Sequence, residues 1–209
     1  MIKIIELCYT LRRFVLCSIR FMSKFLIAGL GNIGDEYAET RHNIGFKIAD
    51  ELANEAGTLF RNDRLASVAE FKYKGRQIIL IKPTTFMNLS GKAINYWLQV
   101  EKIPVENLLV LVDELAFPFG QIRIHPKGSD GGHNGLKDIQ ATLNTQNYAR
   151  LRFGIANVFS KGKQVDYVLG KWNEEERKTL NERIKVSADA VKSFVFAGLP
   201  MTMNAFNSK

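Results

Sequence analysis

The stretch FLIAGLGNIGDEYAETRHNIGF, residues 25–46, decides how the rest of the sequence is read. Phe25 to Ala28 is a short apolar run of the kind that forms a buried strand. Gly29, Gly31 and Gly34 follow as a glycine-rich turn. A polar connection then leads to Arg41-His42-Asn43, where a helical pattern begins. In α/β folds, loops at the carboxyl ends of strands are free to carry chemistry, so this passage is either a cofactor cradle or a reaction site.

Working outward, Ile44, Ile48, Ala49, Leu52, Ala53 and Ala56 recur at helical spacing, and Gly57 closes that helix. Residues 67–74 alternate, with Ala69, Phe71 and Tyr73 on one face and Glu70, Lys72 and Lys74 on the other. A turn at Lys74-Gly75 and the run Ile78 to Ile81 complete a hairpin, which Pro83 stops. A second strand-to-helix loop, TTFMNLSG (residues 84–91), precedes a helix carrying Ala93, Ile94, Trp97 and Leu98. Leu108 to Val112 reads as a strand buried on both faces, ending at Asp113-Glu114. Gln121 to His125 is a short basic strand, KGSDGGHNG (residues 127–135) a third glycine-rich loop before a helix, and Arg150 to Ala156 the last clear strand. A long helix runs from Asn173, a good cap with three glutamates behind it, to about Phe196. The expectation is a single α/β domain over residues 22–209, with a twisted mixed β-sheet covered by helices on both faces.

The whole chain has 209 residues, a 46% hydrophobic and 24% charged composition, and a formal charge of +8. That excludes disorder and makes a polyanionic partner plausible. Residues 1–21 hold Lys3, Arg12, Arg13 and Arg20 against Glu6, a net +3, which leaves +5 for the body. Both cysteines, Cys8 and Cys17, fall in that leading segment. The body therefore offers neither a disulfide nor a thiolate metal site, and a reducing, cytoplasmic setting fits. Arg12 and Arg13 interrupt the apolar run of the leading segment, so it reads neither as a signal peptide nor as a membrane span. Met22 is read as the working start, with residues 1–21 an extension outside the fold.

Gly29 to Gly34 spells the dinucleotide-binding G-x-G-x-x-G pattern. That motif requires a helix to begin at its third glycine, so that the helix N-terminus meets a pyrophosphate. Here Asp35-Glu36-Tyr37 follow instead, and Asp50 and Glu51 lie inside a helical pattern rather than at the end of a second strand. A reaction site fits better. His42 at a helix start and Asp113 at the end of a buried strand make a base and its orienting carboxylate, and without a serine or cysteine nucleophile such a pair suggests water activation. A zinc site drawn from His42, His133 and Asp113 is the alternative, though no paired-ligand spacing supports it. Asn32, Asn88 and Asn134 each fall in a different strand-to-helix loop. Each is explained singly by turn chemistry; together they would supply neutral hydrogen bonds to a peptide and support for an oxyanion.

The segments GLGNIGDEYAETRHNIGF, KPTTFMNLSGKA, VDELAFPFGQIRI, KGSDGGHNGLKDI, RLRFGI and DYVLGKW resemble the bacterial peptidyl-tRNA hydrolase family, over essentially all of Lys24 to Phe206. The resemblance implies hydrolysis of the ester between a peptide and the 3′ ribose of tRNA, recycling peptidyl-tRNA dropped from ribosomes, by a monomer with no cofactor, no metal and no membrane association. It implies His42 as catalytic base, Asp113 as its orienting carboxylate, and Asn32, Asn88 and Asn134 as holders of the peptide and the ester. Tyr37, Met87 and His133 match cleft positions, and Arg123, Lys127, Arg150 and Arg152 match places where the family meets the acceptor-stem phosphates. Three residues depart from the family's pattern. Ile33 replaces a frequent proline, Ala116 a frequent acidic residue, and His125 a lysine or arginine. The rival expectation is a nucleotide- or RNA-binding module without catalysis.

Overall fold

A computed structural model describes residues 23–207. The leading segment expected to stand outside the fold, and Met22 as the expected start, lie outside the described residues. Seven strands form one mixed sheet in the order β2-β3-β4-β1-β5-β7-β6. They are β1 Lys24–Gly29, β2 Arg61–Asp63, β3 Ala66–Tyr73, β4 Arg76–Pro83, β5 Leu108–Glu114, β6 Ile122–His125 and β7 Ala149–Gly154. The central four, β4, β1, β5 and β7, are parallel. The edges are antiparallel: β3 pairs with β4 and β2 with β3 on one side, β6 with β7 on the other.

Six helices accompany the sheet: α1 Ile44–Glu55, α2 Ser90–Val100, α3 Asn134–Leu143, α4 Gln164–Val168, α5 Glu174–Ala197 and α6 Leu199–Phe206. Strand alternation divides the core. Phe25 and Ile27 face one side with α1 and α5, through Ile44, Ile48, Leu52, Val191 and Phe194. Leu26 and Ala28 face the other with α2 and α3, through Ile94, Trp97, Leu136 and Ile139. Helices thus cover both faces, as the apolar run of β5 requires. Leu108 to Val112 are each 0–1% exposed. Each such side chain contributes roughly 1.5–3 kcal/mol on burial, which pins the strand whose end carries Asp113.

The chain leaves β1 toward α1, returns through the β2-β3-β4 hairpins to one side of β1, and crosses through α2 to β5 on its other side. β1 is therefore the topological switch point, and the crevice beyond its carboxyl end is where such sheets place a ligand. Backbone packing draws α1 tightly onto that crevice. A Cβ on Gly29 would fall 2.3 Å from the Gly45 carbonyl oxygen, and one on Gly45 would fall 2.5 Å from Leu30 N and O and Leu111 O. Only glycine at both positions lets the helix start sit directly against the strand ends.

Element boundaries follow the periodicity closely where it is strong. Asn173 caps α5 in a full capping box with Glu176, and Gly198 ends the helix at φ +82°. β2, α4 and α6 have no counterpart in the sequence reading, being three, five and eight residues long without a clear repeat.

Candidate active site

A single 3₁₀ turn, Arg41–Asn43, sits between the first loop and α1. Its three side chains reach three different parts of the molecule. Arg41 is buried and pairs with Glu176 through Nη2–Oε2 at 2.8 Å, with its guanidinium 4.4 Å from the centre of the Tyr167 ring. Arg41 N also donates to the Gly170 carbonyl at 3.1 Å. These contacts fasten the turn to the C-terminal helices. His42 reaches β5, and Asn43 turns back to the first loop.

His42 Nδ1 is 2.8 Å from Asp113 Oδ1, and His133 Nε2 is 3.1 Å from the same oxygen. The two imidazole rings are 4.9 Å apart. Burial opposes the charge on Asp113, but the two facing histidines outweigh it and hold the carboxyl well below the usual carboxylate range. An ionised Asp113 accepts from Nδ1–H of His42, which leaves the lone pair on Nε2. Burial also opposes a charge on His42, yet the Asp113 charge and hydrogen bond prevail and its pKa is raised. The structure thus brings His42 and Asp113 into direct contact and leaves Nε2 of His42 without a proton to donate.

His133 is fixed from its other side. As the residue before α3 it accepts at Nδ1 from the backbone N–H groups of Gly135 (3.1 Å) and Leu136 (3.3 Å). The ring proton is therefore on Nε2, pointing at Asp113. His42, Asp113 and His133 do place ligand atoms within 4.8 Å of one another, the constellation considered for zinc. The donor set does not fit a metal ion, because both nitrogens that face the carboxylate carry protons donated to it, and an ion at His133 Nε2 would have to displace one.

The asparagines converge. Asn32, Asn88 and Asn134 line one cavity with Tyr37, Met87, Ile33, Phe86 and Leu169. A second cavity holds His42, Asp113, His133, Arg152 and, from α4, Gln164, Val165 and Val168. Asn134 belongs to both, so His42 and the asparagine set flank one cleft. Among the described residues none of the three side-chain amides is spent on an intramolecular hydrogen bond. Met87 is buried beneath the cavity and Tyr37 half-buried at its side.

The basic positions divide. Arg123 and Lys127 are exposed, and Arg152 is half-buried at the cleft, paired with Glu114 and donating to Ser129 O at 2.7 Å. Arg150 corrects the expectation of a phosphate contact. It is 0% exposed, and its guanidinium donates to the carbonyls of Gly128 (2.8 Å), Ser129 (3.2 Å) and Gln146 (3.0 Å). It anchors the third glycine-rich loop from beneath and has no path to a phosphate. Of the departures, Ile33 is 45% exposed on the cavity wall, Ala116 donates its N–H to Glu114 Oε1 at 3.0 Å, and His125 stacks on Phe117. Burial first, then Arg152, Arg123 and Arg150, push the pKa of His125 down.

Sequence reasoning missed Phe86, 71% exposed at the cavity rim, and the α4 residues Val165 and Val168. A bulky aromatic in the polar loop before Met87-Asn88 was the available signal for the first. Nothing in the α4 pattern marks its valines as cleft lining. Asn43 was also passed over, although it adjoins His42.

A family model for peptidyl-tRNA hydrolase matches residues 26–209. A peptidyl-tRNA hydrolase of Phocaeicola vulgatus is 56% identical over 186 residues, covering 89% of this chain and all of the relative. One from Porphyromonas gingivalis is 52% identical over 184 residues, 88% of this chain and all of the relative. The crystal structure of peptidyl-tRNA hydrolase from Acinetobacter baumannii superposes with a TM-score of 0.84 at 36% identity, covering 90% of this chain and 96% of that one. The chain belongs to the peptidyl-tRNA hydrolase family.

Proposed function

We propose that this hydrolase cleaves the ester between a peptide and the terminal ribose of tRNA by water attack with His42 as general base. The observation that carries the mechanism is the 2.8 Å contact of His42 Nδ1 with Asp113 Oδ1, which leaves Nε2 free beside the asparagine-lined cavity. Nε2 takes a proton as the water oxygen bonds to the ester carbonyl carbon. The imidazolium, stabilised by Asp113, returns that proton to the ribose oxygen as the carbon–oxygen bond to tRNA breaks. Side-chain amides of the asparagine set would stabilise the tetrahedral oxyanion, an effect of roughly 3 kcal/mol per well-placed donor. Hydrogen bonds to the first peptide linkage would select blocked substrates, since a free aminoacyl ester presents an ammonium group there and leaves those partners mismatched.

Arg123, Lys127 and Arg152 would take the phosphates of the acceptor stem and 3′ end, a largely sequence-independent contribution suited to serving all tRNAs. The catalytic unit we place at residues 22–209, acting as a monomer in the cytoplasm. That unit is free of cysteine, which suits a reducing compartment. The test is turnover of an N-acetylaminoacyl-tRNA by His42→Ala protein that melts like the wild type. Activity near the wild-type level would remove His42 as the base.

A further inference from the structure

Asn43, the last residue of the 3₁₀ turn, is 2% exposed and has no part in the mechanism above. Its side-chain amide reaches back eleven residues and holds both main-chain groups of Asn32: Oδ1 accepts from Asn32 N at 2.8 Å, and Nδ2 donates to Asn32 O at 2.9 Å. One amide thus does what a neighbouring strand would do. The sheet no longer supports the chain here. β1 ends at Gly29, the last bond of this segment to the sheet is Leu30 N to Leu111 O at 3.0 Å, and the next main-chain bond closes only at Tyr37 N to Gly34 O, 3.1 Å. Asn43 also precedes α1, but its side chain makes no capping bond to that helix. Its hydrogen-bonding capacity is directed at Asn32.

We propose that Asn43 is a positioning residue that fixes the Asn32 side chain relative to His42 and so sets the discrimination between peptide-bearing and free aminoacyl esters. The proposal rests on the functional reading above, in which hydrogen bonds to the first peptide linkage select the substrate, and it gives Asn32 that contact. His42 and Asn43 are covalent neighbours in one rigid turn, so the clamp ties the base and the selecting amide to a common support. Without it, Asn32 sits in an unpaired loop between Gly31 and Gly34, where the backbone has wide freedom. A displacement on the order of 1 Å in such a group costs roughly 10²-fold in rate.

The experiment compares wild type, Asn43→Asp and Asn43→Ser, each also in an Asn32→Ala background, on N-acetylaminoacyl-tRNA and free aminoacyl-tRNA. Asn43→Asp keeps the size and the acceptor but sets an oxygen against Asn32 O. Asn43→Ser is neutral and too short to span both contacts, and serves if the aspartate variant does not fold. A fall in kcat/KM of roughly 10- to 100-fold is expected on the blocked substrate, with far less change on the free one. Little further loss is expected once Asn32 is alanine, because residues that act through one another are non-additive. Equal losses on both substrates, or losses that multiply in the Asn32→Ala background, would overturn the proposal. Hydrogen-exchange protection of the Asn32 amide reads the clamp without turnover. It should be high in wild type and lost in Asn43→Ser, which cannot reach across, whereas Asn43→Asp keeps the acceptor for that amide; unchanged protection in the serine variant would also overturn the proposal. A wild type that cleaves neither substrate would remove the functional reading while leaving the clamp to stand or fall on that protection.

Discussion

Asp113 Oδ1 lies 2.8 Å from His42 Nδ1 although 71 residues separate the two in the chain. The contact joins the end of the most deeply buried strand to the one turn that also holds Asn43 and Arg41. It stabilises the protonated form of His42, whereas the proposed reaction needs the neutral form. The group is therefore held in opposition between stability and activity.

The pH dependence follows from that opposition. The folded pKa of His42 lies above its unfolded value of about 6.5, so the stability contributed by the charged pair is fully present below that value. It is lost as pH rises through the folded pKa. The expected kcat/KM for peptidyl-tRNA rises over the same window, as His42 loses its proton. Rate profiles and urea melts collected from pH 5.5 to 9 should run in opposite directions on this limb, and a rate that falls through it would contradict His42 as the base.

Asp113→Asn tests the orienter separately. Removing the carboxylate charge leaves burial as the main influence on His42, so its pKa should drop and the rising limb of the rate profile should move to lower pH. The maximal rate should nonetheless fall by roughly 10²- to 10⁴-fold, because a neutral amide neither holds the imidazole tautomer nor stabilises the imidazolium. A limb that stays in place would show that Asp113 does not set the protonation of His42.

The buried pair of Arg41 and Glu176 should carry a large share of the stability of the turn. Both side chains are nearly inaccessible, 8% and 9% exposed, and Glu176 also closes the capping box of α5 through Asn173 N at 2.7 Å. Arg41→Met leaves an uncompensated buried carboxylate, with an expected loss of roughly 3–5 kcal/mol in denaturant unfolding. A loss below about 1 kcal/mol, the level of an exposed pair, would mean that the carboxylate finds water in the variant.

Much of the fold and the site is legible in the sequence for a local reason. Unbroken apolar runs such as Leu108 to Val112 mark the strands, and the polar or glycine-rich residues that end them mark the strand end that carries Asp113 and the connections in which Asn32 and Asn88 sit. The rest depends on partners far away in sequence. Arg150 and Arg152 are two apart in β7 and so share a face, which made them look equivalent. Arg150 is covered because the loop at Gly128 and Ser129 folds over it, while Arg152 opens onto the cleft. Asn43 gives no periodic signal, since its role is set by a pairing with Asn32 that only the folded loop creates. β2 is three exposed residues, Arg61 to Asp63, whose pairing with β3 leaves no pattern of burial to read.

His125 supplies the last prediction. It stands on the basic rim between exposed Arg123 and Lys127 and stacks on Phe117, which Arg123 also covers at 5.1 Å. Its lowered pKa makes it neutral at pH 7.5, so the rim carries one charge fewer than a lysine at this place would give. His125→Lys should therefore tighten tRNA binding and steepen the dependence of log K on log salt by about one. Arg123→Ala should weaken binding and flatten that slope by a similar amount. In the wild type, affinity should rise on acidification as His125 gains its proton, and this component should vanish in His125→Lys. Equilibrium binding of deacylated tRNA across 50–300 mM salt, at pH 7.5 and in steps downward from the ordinary histidine value of about 6.5, measures all three effects. Slopes that are indifferent to both substitutions would place the phosphate path elsewhere on the molecule.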